Sequence, residues 1–134
     1  DIYPPTLEVA KENAIRHGLT HVKFACGTWF EALNPQKFDL IVSNPPYIDP
    51  EDVHMQKLKS EPERALIADH QGLADIETII VEGKTWLKSN GWIVLEHGYD
   101  QGQKVREIFN QQGFSQIQTI QDYGGNDRVS LGQY

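Results

Sequence analysis

Apolar positions along this chain switch repeatedly between helical and strand spacing. Leu7, Ala10 and Ala14 share one helical face. Pro4 and Pro5 precede them, as a first helical turn tolerates, and Gly18 is placed to stop the helix. His21-Val22-Lys23-Phe24-Ala25-Cys26 alternates as a strand does. Phe38-Asp39-Leu40-Ile41-Val42-Ser43 is an apolar run that reads as a buried strand. From Ile48 to Gln71 the chain is polar and irregular, with Pro50 and Pro62, and connections of that length tend to be functional. Leu73, Ile76, Ile79, Ile80, Gly83, Trp86 and Leu87 fall on one helical stripe, with Asp75 near its start and Asn90-Gly91 at its end. Trp92-Ile93-Val94-Leu95-Glu96 is almost unbroken, as expected of a strand covered on both faces. A further helix turns Val105, Ile108 and Phe109 inward and ends at Gly113. Ser115 to Gln121 and Arg128 to Gln133 read as two strands joined through the turn-rich Asp122-Tyr123-Gly124-Gly125-Asn126-Asp127.

The order helix, strand, strand, helix, strand, helix, strand, strand predicts an α/β fold: a mostly parallel sheet with helices on both faces and an antiparallel carboxyl-terminal hairpin at one edge. The first helix has no strand before it, and a right-handed crossover needs one, so residues 1–134 are expected to be the carboxyl-terminal part of a longer domain.

A length of 134 residues with 39% apolar content suits one core. No apolar run approaches a membrane span, and Asp1-Ile2-Tyr3-Pro4-Pro5 carries no secretory pattern, so a cytoplasmic protein with no membrane partner is expected. The single cysteine, Cys26, forms no internal disulfide and reads as a small buried hydrophobe on a strand. The formal net charge is −7 and the 12 Lys and Arg residues are scattered, which speaks against a nucleic-acid partner. No metal-ligand spacing and no nucleophile triad is present.

The chemistry concentrates at Asn44-Pro45-Pro46-Tyr47, directly after the Phe38–Ser43 run. The carboxyl end of a strand is where open α/β sheets place their ligands. An amide and a phenol ring on a proline-stiffened turn are suited to gripping a planar group that bears an NH2 and offering it to an electrophile. Pro45 and Pro46 lack N–H groups and restrict the turn, so its carbonyls are presented with little entropy left to lose. No Lys or Arg lies between Phe38 and Met55, which favours a cationic electrophile there. Pro4-Pro5 is a second proline pair and has no such setting.

On these residues the chain resembles the release-factor glutamine methyltransferases, the HemK/PrmC family of S-adenosylmethionine-dependent enzymes. The matching pieces are Phe38 through Ile48, Glu61-Pro62 with Ala65-Leu66, Gly72-Leu73, Leu95-Glu96-His97-Gly98, and Asp122 through Val129. Asn-Pro-Pro-Tyr is shared by many amino-methyltransferases and fixes the reaction class; the later pieces point to the glutamine branch. The resemblance implies a Rossmann-like class I methyltransferase fold whose first strands and glycine-rich loop are missing from residues 1–134, so that the fragment by itself is expected to be inactive and to self-associate through bare strand edges. It implies transfer of a methyl group from S-adenosylmethionine, leaving S-adenosylhomocysteine, to a glutamine of a class I peptide-chain release factor, with no metal. The same tetrapeptide leaves open methylation of an exocyclic amine on a nucleic-acid base.

Residue by residue, the resemblance gives Asp1 the ribose hydroxyls of the cofactor. It places Thr28 where the family often has an acid near the adenine amino group, and Trp29 against the adenine face. Asn44 faces both cofactor and substrate. Its side-chain oxygen and the Pro45 carbonyl accept hydrogen bonds from the substrate NH2, while Pro46 shapes the turn and Tyr47 lies against the flat amide. Glu61 lines a substrate channel. His97 reads as structural, because a strand-end histidine needs a carboxylate partner to act as a base. Asp122, Asn126 and Arg128 tie the terminal hairpin together.

Overall fold

The computed structural model describes residues 1–48 and 66–134, and these fall into two compact units, Asp1–Gln36 and Lys37–Tyr134. In the first unit, helix α1 spans Pro4–Arg16 and buries Leu7 and Ala14, with Ala10 half-buried. Its end is closed at Gly18, whose φ of 66° is open to glycine at little cost. The Gly18 N–H donates to Ile15 O (3.0 Å) and the Leu19 N–H to Ala14 O (2.8 Å), a pair of bonds that satisfies two of the helix's last free carbonyls.

The expected strand over His21–Cys26 does not form. The segment makes one bridge: the Asp1 amino group donates to Ala25 O (3.2 Å), and the Gly27 N–H donates to Asp1 O (3.1 Å). Those are the two bonds of a parallel pairing centred on Cys26. A strand is defined by its partner, and within this unit Asp1 alone supplies one. Cys26 is exposed, which corrects its reading as a buried hydrophobe.

The second unit holds a four-stranded sheet. Its strands are β1 (Phe38–Ser43), β2 (Leu87–Glu96), β3 (Ser115–Gln121) and β4 (Asp127–Gln133), in the order β1-β2-β4-β3. β1 and β2 run parallel, with Leu40 opposite Trp92 and Ser43 opposite Leu95. β2–β4 and β3–β4 are antiparallel, with Trp92 opposite Gln133 and Gln118 opposite Leu131. Among the described strands the sheet is therefore mixed rather than mostly parallel. The hairpin forms as expected, and it enters the sheet through its second strand, leaving β3 at the edge.

Before β2 come a single turn, α2 (Asp69–Gly72), and helix α3 (Ala74–Trp86); helix α4 (Gly102–Gln111) follows it. α3 buries Ile76, Ile79, Ile80 and Gly83, and α4 buries Val105 and Phe109. The two helices touch each other, α3 packs on β2, and α4 packs on β3 and β4. Within this unit both lie over one sheet face. Ile93 and Leu95 are accordingly buried while Trp92 and Val94 are half-exposed. The same asymmetry overturns the expectation that Phe38–Ser43 is buried: Leu40 is 51% and Val42 68% exposed. Period-two geometry sends these side chains to the face that α3 and α4 leave open.

Asn90-Gly91 does not end the helix, which stops at Trp86. Asn90 has a φ of 62° and bends the start of β2, where the register with β1 shifts. Under α4, Gly132 leaves room for the Phe109 ring: a Cβ at that position would lie 2.9 Å from the ring. Phe109 also meets Phe114 edge-on at 5.1 Å between centroids. Among the described residues no helix is long and apolar enough to cross a membrane.

Phe109 is fully buried at the junction of α4, β4 and Phe114. Phe109→Ala is expected to destabilise the protein by about 3–5 kcal/mol, the usual cost of deleting a core ring. Urea denaturation checks this, and a loss below about 1 kcal/mol would contradict a rigid core at this site.

Candidate active site

The parallel pairing of β1 and β2 sets two carboxyl ends side by side. Ser43 is opposite Leu95, so one residue further on Asn44 and Glu96 occupy neighbouring positions. The chain then turns through Asn44-Pro45-Pro46-Tyr47. Asn44 is exposed, and its side-chain amide makes no hydrogen bond among the described residues. Pro45 is buried, Pro46 and Tyr47 are half-buried, and the Pro45 carbonyl likewise accepts no hydrogen bond among the described residues. Two unengaged acceptors on a stiff turn can take both hydrogens of one planar NH2.

Tyr47 is held from both ends. Its phenol donates to Glu96 Oε1 (3.2 Å), and its carbonyl accepts from Gln101 Nε2 (2.9 Å). Burial raises the Tyr47 pKa, with the Glu96 carboxylate adding to the effect and Arg128 opposing it, so the phenol stays a donor. After Tyr47, Ile48 bridges to the other side of the long connection. Its N–H donates to Leu66 O (2.8 Å), and Ala68 N–H donates to Ile48 O (3.0 Å).

Arg128 reaches this place from β4. It donates to His97 O (3.3 Å) and to Asp122 Oδ2 (3.4 Å). Asp122 Oδ1 accepts from the Gly124 (2.8 Å) and Asn126 (3.0 Å) N–H groups, and these backbone donors hold its carboxyl below the usual range. Hence the turn between β3 and β4 is shaped by one carboxylate.

His97 is fully buried and both ring nitrogens are engaged. Nδ1 lies 2.8 Å from Gly98 O, and Nε2 lies 2.8 Å from Ser130 Oγ. Ser130 Oγ is 2.7 Å from Thr119 Oγ1, which accepts from Arg106 Nη1 (2.8 Å). Because the Gly98 carbonyl can only accept, the ring proton sits on Nδ1; in the neutral ring Nε2 then accepts from Ser130, Ser130 from Thr119, and Thr119 from Arg106. The imidazole is thus a neutral strut with Nδ1–H on Gly98 O, with no nitrogen left to act as a base.

In the first unit, Asp1 is bonded to the Ala25–Gly27 segment, which leads directly into Thr28 and Trp29. The Asp1 side chain is exposed; Oδ1 accepts from the Tyr3 N–H (2.8 Å), which leaves Oδ2 open. Trp29 is half-buried with a φ of 45°. A carboxylate with an open oxygen and a flat indole are, as residue types, a set that fits a nucleoside, through a ribose hydroxyl and a base face. Glu61 lies outside the described residues. Sequence reasoning assigned no role to Glu96 or Gln101. The signal was a carboxylate closing an apolar strand, with a glycine and a glutamine following before the next helix.

The chain matches the family model described as a methyltransferase domain over residues 1–125. It is 47% identical over 137 residues to the release factor glutamine methyltransferase of Vibrio cholerae and 42% identical over 137 residues to that of Aliivibrio fischeri, covering 100% of this chain and 48% of each relative. It thus spans about half the length of the curated relatives it matches. In fold it is similar to the crystal structure of a methyltransferase from Pyrococcus furiosus, with a TM-score of 0.73 at 19% identity, over 99% of this chain and 59% of that one.

Burial is the main cause that pushes the His97 pKa below its ordinary value, with Arg106 and Arg128 acting in the same sense and Asp127 and the Gly98 carbonyl against it. The unfolded imidazole takes up its proton near pH ~6.5, whereas the folded one resists to lower pH. Stability from this group is therefore complete above that pH and falls as the pH drops below it. Urea midpoints measured from pH 8 to pH 5 are expected to decline at the acid end, and His97→Gln is expected to flatten that decline. An identical acid slope in both proteins would remove His97 as its source.

Proposed function

From the premise that this chain belongs to the methyltransferase-domain family, we propose that the protein transfers a methyl group to the side-chain amide nitrogen of a glutamine in a peptide-chain release factor. The observation that carries this reading is the elbow at Asn44, where two acceptors without a partner among the described residues lie close to a half-buried phenol. The names and 42–47% identity of the two relatives support the choice of glutamine and of a release factor. The family implies S-adenosylmethionine as donor, which when bound supplies an electrophilic methyl carbon on a sulfonium. Asp1 would hold its ribose, Trp29 its adenine face and Thr28 the adenine edge.

An amide nitrogen is a poor nucleophile because its lone pair is delocalised into the carbonyl, as in a peptide bond whose rotation costs about 18–20 kcal/mol. The residues of this chain act on that problem by orientation. Asn44 Oδ1 and Pro45 O accept the two N–H groups and fix the amide plane. Tyr47 lies along that plane, kept in place by Glu96, and Glu61 would line the approach. The two acceptors also stabilise positive charge that develops on nitrogen as the new bond forms. Fixed orientation of this kind lowers barriers by up to about 7–11 kcal/mol in ideal cases.

Asn44→Ala in the intact protein is expected to lower the methylation rate on release factor about 10²–10³-fold, the range seen when one preorganised polar contact is lost. Cofactor affinity should change far less. Mass spectrometry of the release factor and of nucleic acid, each incubated with enzyme and methyl donor, checks the substrate. A methyl group on nucleic acid and none on the release factor would replace this reading with the base-methylating one.

A further inference from the structure

Among the described residues nothing bonds to the elbow's acceptors, so something other than Asn44 or Pro45 has to fix where they point. Gln101 has the geometry for this. It is 6% exposed and directly precedes α4. Its side-chain amide is fully used: Nε2 donates to Tyr47 O (2.9 Å) and to Gln71 O (2.9 Å), and Oε1 accepts from the Gly98 N–H (2.8 Å). One side chain thereby joins the turn after β1, the turn before α3 and the loop after β2.

The partner surface is equally specific. Gly72 packs on the same Tyr47 carbonyl, and a Cβ there would overlap its oxygen and lie 2.6 Å from both the carbonyl carbon and Gln101 Nε2. His70, Gln71 and Gly72 follow one another in the left-handed region, with φ of 54°, 60° and 75°. Two consecutive non-glycine residues in that region persist where their surroundings over-determine them, and such strain gathers at functional sites. Gln101 on Gln71 O, Gly72 N–H on Ala68 O (3.1 Å) and Lys104 on the Gln71 side chain are the bonds that hold the run.

We propose that Gln101 is a positioning residue for methyl transfer: seated on Gly72, it pins the Tyr47 carbonyl and, through the two φ-locked prolines, sets the aim of Asn44 Oδ1 and Pro45 O. This rests on the proposed function of the same elbow. Proline rings remove the torsional slack that would otherwise let Asn44 drift from an anchor three residues away. The side chain is specific in type. Glutamate would set a carboxylate against two carbonyl oxygens, and methionine keeps the length with no donor.

The test uses the intact protein with Gln101→Met, Gly72→Ala, Asn44→Ala and the Q101M/N44A double variant. Q101M and G72A are each expected to lower kcat on release factor about 10–100-fold and to raise KM for that substrate, with the cofactor Kd within twofold of wild type. In the N44A background Q101M should change the rate less than about threefold, because both act through one group. Hydrogen exchange at the Ile48 amide should quicken in Q101M and G72A while Ile93 and Val105 stay protected. Wild-type kcat in folded Q101M, a fall in kcat with both substrate constants unchanged, or effects of Q101M and N44A that multiply would each overturn the proposal. Should Q101M not fold, Gln101→Asn, which keeps the amide and shortens its reach by one carbon, takes its place with the same expectations. If wild type leaves release factor unmethylated, the functional reading fails by itself. The Ile48 exchange then decides the positioning role: faster exchange supports it and unchanged exchange sinks it.

Discussion

The two prolines of the elbow impose the constraint on which the rest depends. They take away the N–H groups that would have let the turn bond to its surroundings, and they fix φ at both positions. The turn consequently cannot be held along its length. It is held at its ends: at one end by the pairing of β1 with β2, and at the other by Tyr47. Everything else described around the site serves those two attachments. β2 contributes both the parallel partner and Glu96, which receives the phenol. The loop after β2 contributes Gln101, whose Nε2 donates to the Tyr47 carbonyl, and Gly98, whose N–H donates to Gln101 Oε1.

This arrangement explains why buried polar groups accumulate beside the elbow without competing for it. His97, Ser130, Thr119 and Arg106 form a continuous hydrogen-bonded chain from the buried imidazole to a guanidinium. Among the described residues no buried side-chain polar atom lacks a partner. A satisfied network of this kind rigidifies the strand ends from behind, whereas a half-satisfied one would cost stability. Arg128 belongs to the same backing. Its bonds to His97 O and Asp122 keep a cation close to Tyr47 yet occupied. Polar atoms without a partner among the described residues stand at the elbow's tip, which is where a binding site needs them.

Much of this was legible along the chain, and the failures have one cause. Leu7, Ile76, Ile79, Ile80, Val105 and Phe109 were readable as core because a helix's buried face follows from its own spacing. The β3–β4 hairpin was readable because its strands are close in sequence. His21–Cys26 was not, since alternation marks a candidate strand and pairing makes one. Leu40 and Val42 were misjudged as buried for the same reason: a strand's burial depends on which helices reach it. The elbow's location was legible, but its fastenings were not. Tyr47 meets Glu96 across 49 positions and Gln101 across 54, and no local pattern encodes such contacts. The left-handed run at His70–Gly72 is hidden likewise, because only the final glycine advertises it.

The chemistry offered by the tip also narrows what can be methylated there. A hydroxyl or a thiol must lose its proton before or as it attacks, so a site for either needs a base within reach. At the elbow itself, Asn44 and Pro45 provide acceptors and no base. His97 is buried with both nitrogens committed, and Glu96 accepts the Tyr47 phenol through Oε1. An NH2 on a planar carbon has a different requirement. It carries two hydrogens to be directed, and its nitrogen becomes strongly acidic once alkylated, so the proton leaves afterwards to any acceptor or to water. Two fixed carbonyl-type oxygens meet that need and do little for an alcohol. On the proposed reading, then, selectivity for a planar NH2 over an alcohol follows from what the prolines leave free, and the rigidity that aims those oxygens is what the buried residues around Tyr47 supply.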